Sequence, residues 1–401
     1  MLYYGEATYG KQEIKAVNRV LKNGWLSGGK ETVLFEKELA DWWGMKYAIS
    51  TNSGSSANFI ALMSLKLRPG DEVITPACGF PTTVSPIIIQ GFTPVYVDVH
   101  KGYTICIEEV EEAITLKTKA IMFSHTLGNV CDMDQLMKVA RENSLYVIED
   151  CCDAVGSKWD GKKVGTFGDL ATVSFYPAHH MTTGGEGGAI LTNDSKLYER
   201  CKSIRDWGRA CICGWNSQGC NARFDNPPFD HKYYYTNLGM NLKLTEMQAA
   251  FGREQLKRLD GFIAQRKSNF EILYSELMKD PERRIRLPQW DKKADVSWFA
   301  FPYLCYHIPE RNGMMRHLEK LGIQTRTLFS GDITKHPAYR GIGRIASDLT
   351  LTDLNMSGVF FVGVGPKLTK DNMKYIANGI KSYQRKKFVH ANWGIKENVD
   401  K

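Results

Sequence analysis

The sequence of 401 residues contains no apolar run that approaches the ~20 residues needed to span a lipid bilayer. Its first residues, MLYYGEATYGKQEIK, also lack the basic-then-apolar order of a signal peptide. No block of consecutive Lys and Arg forms the stripe that is typical of nucleic-acid binders, and the net charge of +8 is modest for this length. We therefore expect a cytoplasmic protein that binds an anionic small molecule and has no nucleic-acid or membrane partner.

The composition is close to that of an average soluble globular protein, with 43% hydrophobic and 24% charged residues. The length excludes a disulfide-stapled miniprotein and predicts one large domain with a smaller one. From residue 46, short apolar strands alternate with longer helical patterns, which indicates an α/β fold with a mostly parallel sheet. The alternation becomes less regular after a long helical pattern that begins at Lys243. We therefore expect a large domain of residues 1–250 and a smaller α+β domain of residues 251–401.

Candidate ligand-binding residues follow three of the predicted strands. Gly54 and Ser55 lie in a turn that opens a helix, where free backbone N–H groups favour a phosphate, an ordinary helix cap being the alternative. Asp150 ends the strand LYVIED, and the carboxyl ends of parallel strands are where open α/β sheets hold their ligands. A third strand end adds a hydroxyl, two imidazoles and a glycine run in the segment SFYPAHHMTTGGEGG. Together these groups predict a binding site at one edge of the sheet.

Seven strings resemble the sugar aminotransferase and dehydratase family, which uses pyridoxal or pyridoxamine phosphate: NGWLSGGKETVLFEKELA, NSGSSAN, GDEVITP, VIEDCCDA, GKKVGTFGDLATVSFYPAHH, GGEGGAILTND and MNLKLTEMQAA. The resemblance covers most of the chain. It implies fold type I of the pyridoxal-phosphate enzymes, with a large, mostly parallel domain and a smaller C-terminal one. It also implies a homodimer with composite active sites.

The resemblance implies a role for each residue of a cofactor pocket. Gly54, Ser55 and Ser174 would hold the cofactor phosphate, and Asn241 would reach the phosphate bound in the neighbouring subunit. Such a pocket places the cofactor between the two subunits.

The ring of the cofactor would contact three further residues. Asp150 would pair with the pyridinium nitrogen, which keeps this nitrogen protonated and strengthens the cofactor as an electron sink. Phe80 would stack on the ring. Asp153 would lie beside the ring, at a position where the aminotransferases carry glutamine or histidine.

One position departs from the aminotransferase pattern. Aminotransferases of this family read SFYPTKN, with the lysine that binds the cofactor covalently, whereas this chain reads SFYPAHH from Ser174 to His180. Imidazole cannot form that bond, so we expect pyridoxamine phosphate to be held non-covalently. His179, in the lysine position, can still move a proton near neutral pH as the catalytic base. The alternative is that one of the two histidines is a structural substitution in an inactive enzyme.

This exchange narrows the resemblance to the hexulose 3-dehydratases, which remove the carbon 3 hydroxyl of a nucleotide-linked 4-keto-6-deoxy sugar. One type has no metal, as in the colitose pathway. The other, to which the resemblance is greater, acts on a CDP-linked sugar and carries a 2Fe–2S cluster on the pattern C-x57-C-x-C-x7-C.

Four of the ten cysteines approach that pattern, namely Cys152, Cys211, Cys213 and Cys220. Their intervals are 58, 1 and 6 residues, so two of the three differ from the pattern by one residue. In a reducing compartment cysteines are thiols or metal ligands, and four thiolates are the usual ligands of a 2Fe–2S cluster. Zinc on the same thiolates is one alternative. A second alternative is that Cys151 or Cys201 replaces one of these four cysteines as a ligand.

Two residues are candidates for contact with the substrate. The string GIQTRTLFSGDITKHP resembles the part of these dehydratases that helps to bind the sugar nucleotide. Within it, the guanidinium of Arg326 matches the oxygens of a diphosphate, although an ordinary surface arginine is the alternative. His180 is the second candidate.

These resemblances favour an iron–sulfur, pyridoxamine-phosphate-dependent dehydratase in the biosynthesis of 3,6-dideoxysugars such as those of lipopolysaccharide O-antigens. Release of the 3-deoxy product needs two electrons, so we expect a flavin- or iron–sulfur-containing NAD(P)H-dependent reductase as a partner. A metal-free dehydratase of the colitose type is the second interpretation. A non-catalytic regulator that keeps the fold for ligand sensing or partner binding is the third.

Overall fold

The structure is a computed structural model, and it describes residues 1–211, 213, 228–281, 285–305 and 308–396. The strands within this part of the chain form three sheets, of eight, three and three strands. The strands are β1 (Tyr47–Thr51), β2 (Glu72–Pro76), β3 (Thr93–Val97), β4 (Thr118–Ser124), β5 (Tyr146–Asp150), β6 (Lys158–Trp159), β7 (Lys162–Lys163), β8 (Leu170–Ser174), β9 (Gly188–Thr192), β10 (Ala294–Asp295), β11 (Ala300–Leu304), β12 (Thr325–Thr327), β13 (Arg344–Ile345) and β14 (Val359–Gly363).

The eight-stranded sheet has the order β1-β9-β8-β5-β4-β2-β3-β13. From β8 to β13 neighbouring strands run parallel, whereas β9 pairs antiparallel with both β8 and β1. Short strands alternate with helices from Tyr47 onward, as the sequence pattern predicts. The prediction of a mostly parallel α/β sheet is confirmed.

Successive residues of the central strands enter two different apolar clusters. Ile74 and Phe123 belong to one cluster, and their neighbours Val73 and Met122 belong to the other. Because side chains alternate across a strand, these clusters lie on opposite faces of the sheet. Burial on both faces explains why the strands read as continuous apolar runs in the sequence.

Helices cover the sheet and the C-terminal part of the chain. They are α1 (Lys11–Asn23), α2 (Lys30–Trp43), α3 (Gly54–Ser64), α4 (Pro81–Ile89), α5 (Ile107–Ala113), α6 (Met133–Glu142), α7 (Ser195–Arg205), α8 (Glu246–Leu256), α9 (Leu259–Met278), α10 (Ile308–Lys320), α11 (Thr350–Gly358) and α12 (Lys370–Lys396). Three short 3₁₀ helices lie at Thr126–Gly128, His231–Tyr233 and Ile333–Lys335. Over the described residues, no helix combines the length and the apolarity needed to cross a membrane.

The long helical pattern that begins at Lys243 forms two helices instead of one. Between α8 and α9 the chain turns at Lys257 and Arg258, whose N–H groups bond to the Gln255 carbonyl. This break allows α8 to pack on α1 and α2 while α9 packs on α12. Sequence periodicity missed it because neither residue at the turn is a helix breaker.

The C-terminal part of the chain contains a three-stranded antiparallel sheet in the order β11-β14-β12, with α10 and α12 packed nearby. Strand β13 nevertheless returns to the large sheet, where Arg344 and Ile345 pair with β3. The expected boundary near residue 250 falls inside α8. The division into residues 1–250 and 251–401 stays a prediction.

Candidate active site

A cavity of about 450 Å³ opens at the carboxyl ends of the parallel strands. The last residues of β4, β5 and β8 line it, and side chains from β12 and β14 line it as well. It brings together nine residues that the sequence analysis singled out, namely Gly54, Ser55, Phe80, Asp150, Cys152, Asp153, Ser174, His179 and Arg326. The volume lies within the range of cofactor and substrate pockets.

The first turn of α3 forms one end of this cavity. The Ser53 hydroxyl accepts a hydrogen bond from the N–H of Ser56 at 3.0 Å and caps the helix. A Cβ atom at Gly54 would lie only 2.7 Å from the Cβ of Ser174, so glycine is needed for the helix to approach this strand end. Since free N–H groups and the helix dipole favour an anion, Gly54, Ser55 and Ser174 fit a phosphate group.

Asp150 is held in place by three hydrogen bonds. One carboxylate oxygen accepts from Asn58 Nδ2 and from Thr83 Oγ1, both at 2.8 Å. The other accepts from the backbone N–H of Cys152 at 3.1 Å. A carboxylate fixed in this way at a strand end fits the protonated ring nitrogen of a pyridoxal-type cofactor.

Sequence reasoning missed the role of Asn58. This residue is 1% exposed, donates to Asp150 and accepts from Thr172 Oγ1 at 2.5 Å. The signal in the sequence was an amide in the otherwise apolar middle of SSANFIALMSL.

The side chains of Asp153 and His179 face each other inside the cavity, with 3.5 Å between Asp153 Oδ1 and His179 Nδ1. Burial raises the pKa of Asp153 to about 7, and the nearby charge of Asp150 acts in the same direction. Burial and the charge of Arg266 lower the pKa of His179 to about 3. His179 is therefore a neutral imidazole, and its Nε2, on the side away from Asp153, is the atom that can exchange a proton with a ligand.

A buried arginine holds the backbone that carries His179. Arg266 is 1% exposed and donates to the carbonyls of Ala178, His179 and Phe299 over 3.2, 3.0 and 2.8 Å. Burial lowers its pKa to about 10, so the guanidinium remains charged at neutral pH. Sequence reasoning missed this residue too, although a charged side chain on the buried face of α9, with Phe262 and Phe270, was a visible anomaly.

His180 occupies a different place from the one expected. It is 2% exposed, its Nε2 lies 3.0 Å from the carbonyl oxygen of Ser297, and it is not among the residues that line the cavity. Its imidazole supports the backbone because the chain turns it away from His179. Its expected contact with a substrate stays a prediction.

Arg326 was predicted to contact the substrate and Asn241 a cofactor phosphate, and the two residues lie in different places. Arg326 lines the cavity from β12, with its guanidinium 4.8 Å from the ring centre of Tyr4. Arg326 is exposed, and its contact with a diphosphate stays a prediction. Asn241 lies at the surface and forms an isolated β-bridge with Asp206. Its contact with the phosphate in a neighbouring subunit stays a prediction.

The four predicted cluster cysteines are not all brought together. Cys152 lines the cofactor cavity, where its sulfur lies 3.1 Å from the ideal Cβ position of Gly54. Cys211 and Cys213 instead lie beside His231, and Cys220 falls outside the described residues. Of the two alternative ligands, Cys151 and Cys201 are both fully buried. The four-cysteine set stays a prediction.

The residues of the cavity fit a pyridoxal- or pyridoxamine-phosphate cofactor at three points. The α3 N-terminus fits the phosphate, Asp150 fits the ring nitrogen, and His179 lies where a reacting carbon needs a base. Of the described residues that line the cavity, none is a lysine. The site can therefore position the cofactor and move protons, without a covalent bond from the protein.

Comparison with known proteins agrees with this site. The model of the DegT/DnrJ/EryC1/StrS aminotransferase family matches residues 7–381. The chain is 41% identical over 396 residues to the lipopolysaccharide biosynthesis protein RfbH of Salmonella typhimurium, across 93% of this chain and 90% of that protein. It is 42% identical over 380 residues to a dTDP-4-dehydro-2,6-dideoxy-D-glucose 3-dehydratase of Saccharopolyspora spinosa, across 90% of this chain and 82% of that protein.

Solved structures show the same architecture. The chain superposes with a TM-score of 0.86 on an E. coli GDP-4-keto-6-deoxy-D-mannose-3-dehydratase with bound hydrated PLP. The identity is 27%, and the match covers 95% of this chain and all of the other. The fold type I α/β architecture is confirmed.

Proposed function

Because the chain belongs to the DegT/DnrJ/EryC1/StrS aminotransferase family, we propose that it is a pyridoxamine-phosphate-dependent 3-dehydratase of a nucleotide-linked 4-keto-6-deoxyhexose. Relatives of the chain include proteins named as 3-dehydratases of such sugars. The observation that carries the proposal is His179, a neutral imidazole that lines the cavity in the position of the aminotransferase lysine. A histidine in the lysine position can still transfer a proton, but it cannot form the covalent bond to the cofactor.

When bound, pyridoxamine phosphate supplies an amine that condenses with the keto group and an electron sink for the elimination. The protein positions it through the α3 N-terminus and Asp150, while Phe80, half exposed in the cavity, covers the ring face. Arg326, on the opposite wall, binds the diphosphate of the sugar nucleotide.

His179 moves the proton that the elimination requires. With the cofactor bound, its Nε2 would accept a proton from the cofactor carbon that carries the amine and would return a proton to the carbon 3 hydroxyl, which would leave as water. The Asp153 carboxylate, 3.5 Å from Nδ1, stabilises the positive charge that the imidazole acquires. Arg266 keeps the imidazole at this distance through the His179 carbonyl.

We also propose a redox centre and a partner that supplies electrons. After loss of water, the 3-deoxy ketosugar forms by uptake of two electrons and two protons, and a 2Fe–2S cluster carries one electron at a time. Cys211 and Cys213 lie together on the loop that begins after α7, where a flavin- or iron–sulfur-containing NAD(P)H-dependent reductase would dock. Two thiols at one point support a metal centre at this loop.

A homodimer is the third part of the proposal. Leu238 and Met240, which come shortly before Asn241 in the sequence, are 82% and 45% exposed. Large apolar side chains at this exposure favour burial against a second copy of the chain. In that arrangement Asn241 would reach the neighbouring cofactor phosphate.

The dehydratase proposal predicts non-covalent cofactor binding and elimination in the same sample. Anaerobic incubation in deuterium oxide with pyridoxamine phosphate and a nucleotide-linked 4-keto-6-deoxyhexose should place deuterium on the cofactor and remove the carbon 3 oxygen, as detected by mass spectrometry. Borohydride reduction in the presence of pyridoxal phosphate should leave no cofactor attached to a lysine of the site. An amino sugar that keeps its carbon 3 hydroxyl, or a phosphopyridoxyl-lysine, would refute the proposal. Multiple turnovers with glutamate as the sole reductant would assign the metal-free colitose type.

The Asp153–His179 pair predicts a rise of kcat/KM with pH. Below its pKa of about 7 Asp153 is neutral and cannot stabilise a charged imidazole, whereas above pH 7 it is a carboxylate, so kcat/KM should rise through pH 7 and then level off. In Asp153→Asn this rise should disappear and the plateau should fall about tenfold or more. Rates measured from about pH 5.5 to 9 test this. A wild-type profile that is flat across neutral pH would show that Asp153 does not control the base.

A further inference from the structure

Outside the cofactor cavity, three metal-binding side chains meet on the loop between α7 and α8. The Cys211 and Cys213 sulfurs and a ring nitrogen of His231 all lie within 4.8 Å of one another. Two such thiols and an imidazole form a ligand set that zinc and iron–sulfur clusters prefer.

The backbone holds these residues together from two separate stretches of sequence. The N–H of Ala210 donates to the Tyr234 carbonyl at 2.9 Å, and Arg209 and Tyr235 form an antiparallel bridge. His231 begins a 3₁₀ helix that Asp230 caps by accepting from the N–H of Lys232 at 3.0 Å. The geometry of the three side chains is therefore set by hydrogen bonds of the main chain.

Among the described residues, neither ring nitrogen of His231 has a hydrogen-bond partner. His231 is 7% exposed, and both Nδ1 and Nε2 are buried without a hydrogen bond. Asp230 Oδ1 lies 3.9 Å from Nδ1, beyond hydrogen-bond distance. A buried polar group without a partner is costly, and a metal ion bound to one nitrogen would remove that cost.

Cys152, by contrast, belongs to none of the groups of three or more potential ligands among the described residues. Its sulfur packs against the first turn of α3, and its N–H donates to Asp150. Movement of this thiol to a cluster would disturb the residue that positions the cofactor ring. Cys152 is therefore not one of the three side chains that meet at His231.

We propose that His231 is a protein ligand, with Cys211 and Cys213, of a thiolate–imidazole metal centre on this loop. This inference rests on the redox centre proposed above and changes its ligand set from cysteines alone to a set that includes one histidine. Zinc and an iron–sulfur cluster share this ligand chemistry, and metal and sulfide content distinguish them.

The test compares the full-length protein, purified anaerobically, with His231→Ala, His231→Cys, Cys213→Ser and the control His336→Ala. Iron, zinc and acid-labile sulfide are measured, and X-ray absorption at the edge of the bound metal detects an imidazole ligand. We expect His231→Ala and Cys213→Ser to bind the metal about tenfold or more weakly in competition with a chelator. His231→Cys should keep the metal and lose the imidazole signal, while His336→Ala should match the wild type.

Three results would overturn the proposal. They are a wild-type protein that binds neither iron nor zinc after reconstitution, a bound metal without an imidazole signal, and unchanged metal affinity in His231→Ala. Circular dichroism and the absorbance of bound pyridoxal phosphate in each variant exclude a general folding defect. Cofactor-dependent deuterium exchange in the same samples reports on the dehydratase proposal separately, so failure of the metal site and failure of the dehydratase function remain distinguishable.

Discussion

Replacement of His179 by asparagine should lower kcat for elimination by a factor of about 10²–10⁴, the usual contribution of a general base. Asparagine keeps the polarity of the side chain and cannot accept the proton. Because the phosphate cradle and Asp150 bind the cofactor independently of His179, its affinity should change little. The measurements are deuterium incorporation into the cofactor and its dissociation constant from absorbance titration.

Two further variants sharpen this test. His179→Lys restores the amine of the aminotransferases and should favour transamination while abolishing dehydration. His100→Asn, at an exposed histidine that pairs with Glu108, is a control that should leave kcat unchanged. Full dehydratase turnover in either His179 variant would assign the base to another residue.

Replacement of Arg266 by methionine should reduce the free energy of unfolding by about 2–4 kcal/mol. Methionine fills much of the space and leaves the carbonyls of Ala178, His179 and Phe299 without their donors, and each buried unpaired group costs ~1–3 kcal/mol. Removal of a buried charge offsets part of this loss. Urea denaturation measures the lower stability. A change in kcat reports the displacement of His179.

Lys267 provides the matched control because it follows Arg266 on the same helix and pairs with Asp295 at the surface. Lys267→Met should change stability by about 0.5 kcal/mol or less. Arg266→Lys should recover part of the stability, since an ammonium keeps the charge and some of the hydrogen bonds. Equal stability of Arg266→Met and the wild type would show that the His179 segment does not depend on the guanidinium.

The cofactor site was largely predictable because its residues follow strand ends. Asp150, Ser174 and the turn at Gly54 each come directly after an apolar strand, and parallel strands bring such ends to one edge. Asn58 and Arg266 were not predictable in this way. Their roles arise from hydrogen bonds to residues distant in the sequence, and a helical pattern shows only that a polar side chain lies on a buried face.

The cysteines show that residue spacing alone does not predict which side chains lie close together. Intervals in the sequence predicted Cys152, Cys211, Cys213 and Cys220 as one set. The structure places Cys152 in the cavity and His231 beside Cys211 and Cys213, and the four-cysteine set stays a prediction because Cys220 lies outside the described residues. An interval counts residues along the chain. It contains no information on which strand ends and loops approach each other.

The sequence by itself determined the α/β alternation, the strands of the large sheet and the exchange of lysine for His179. These features are local, because burial on both faces produces apolar runs and a residue type defines its own chemistry. Only the tertiary structure decided the 3.5 Å approach of Asp153 to His179, the support of that loop by Arg266 and the structural place of His180. Those contacts, and the pKa values that follow from them, depend on burial and on distances between separate elements, which exist only once the chain has folded.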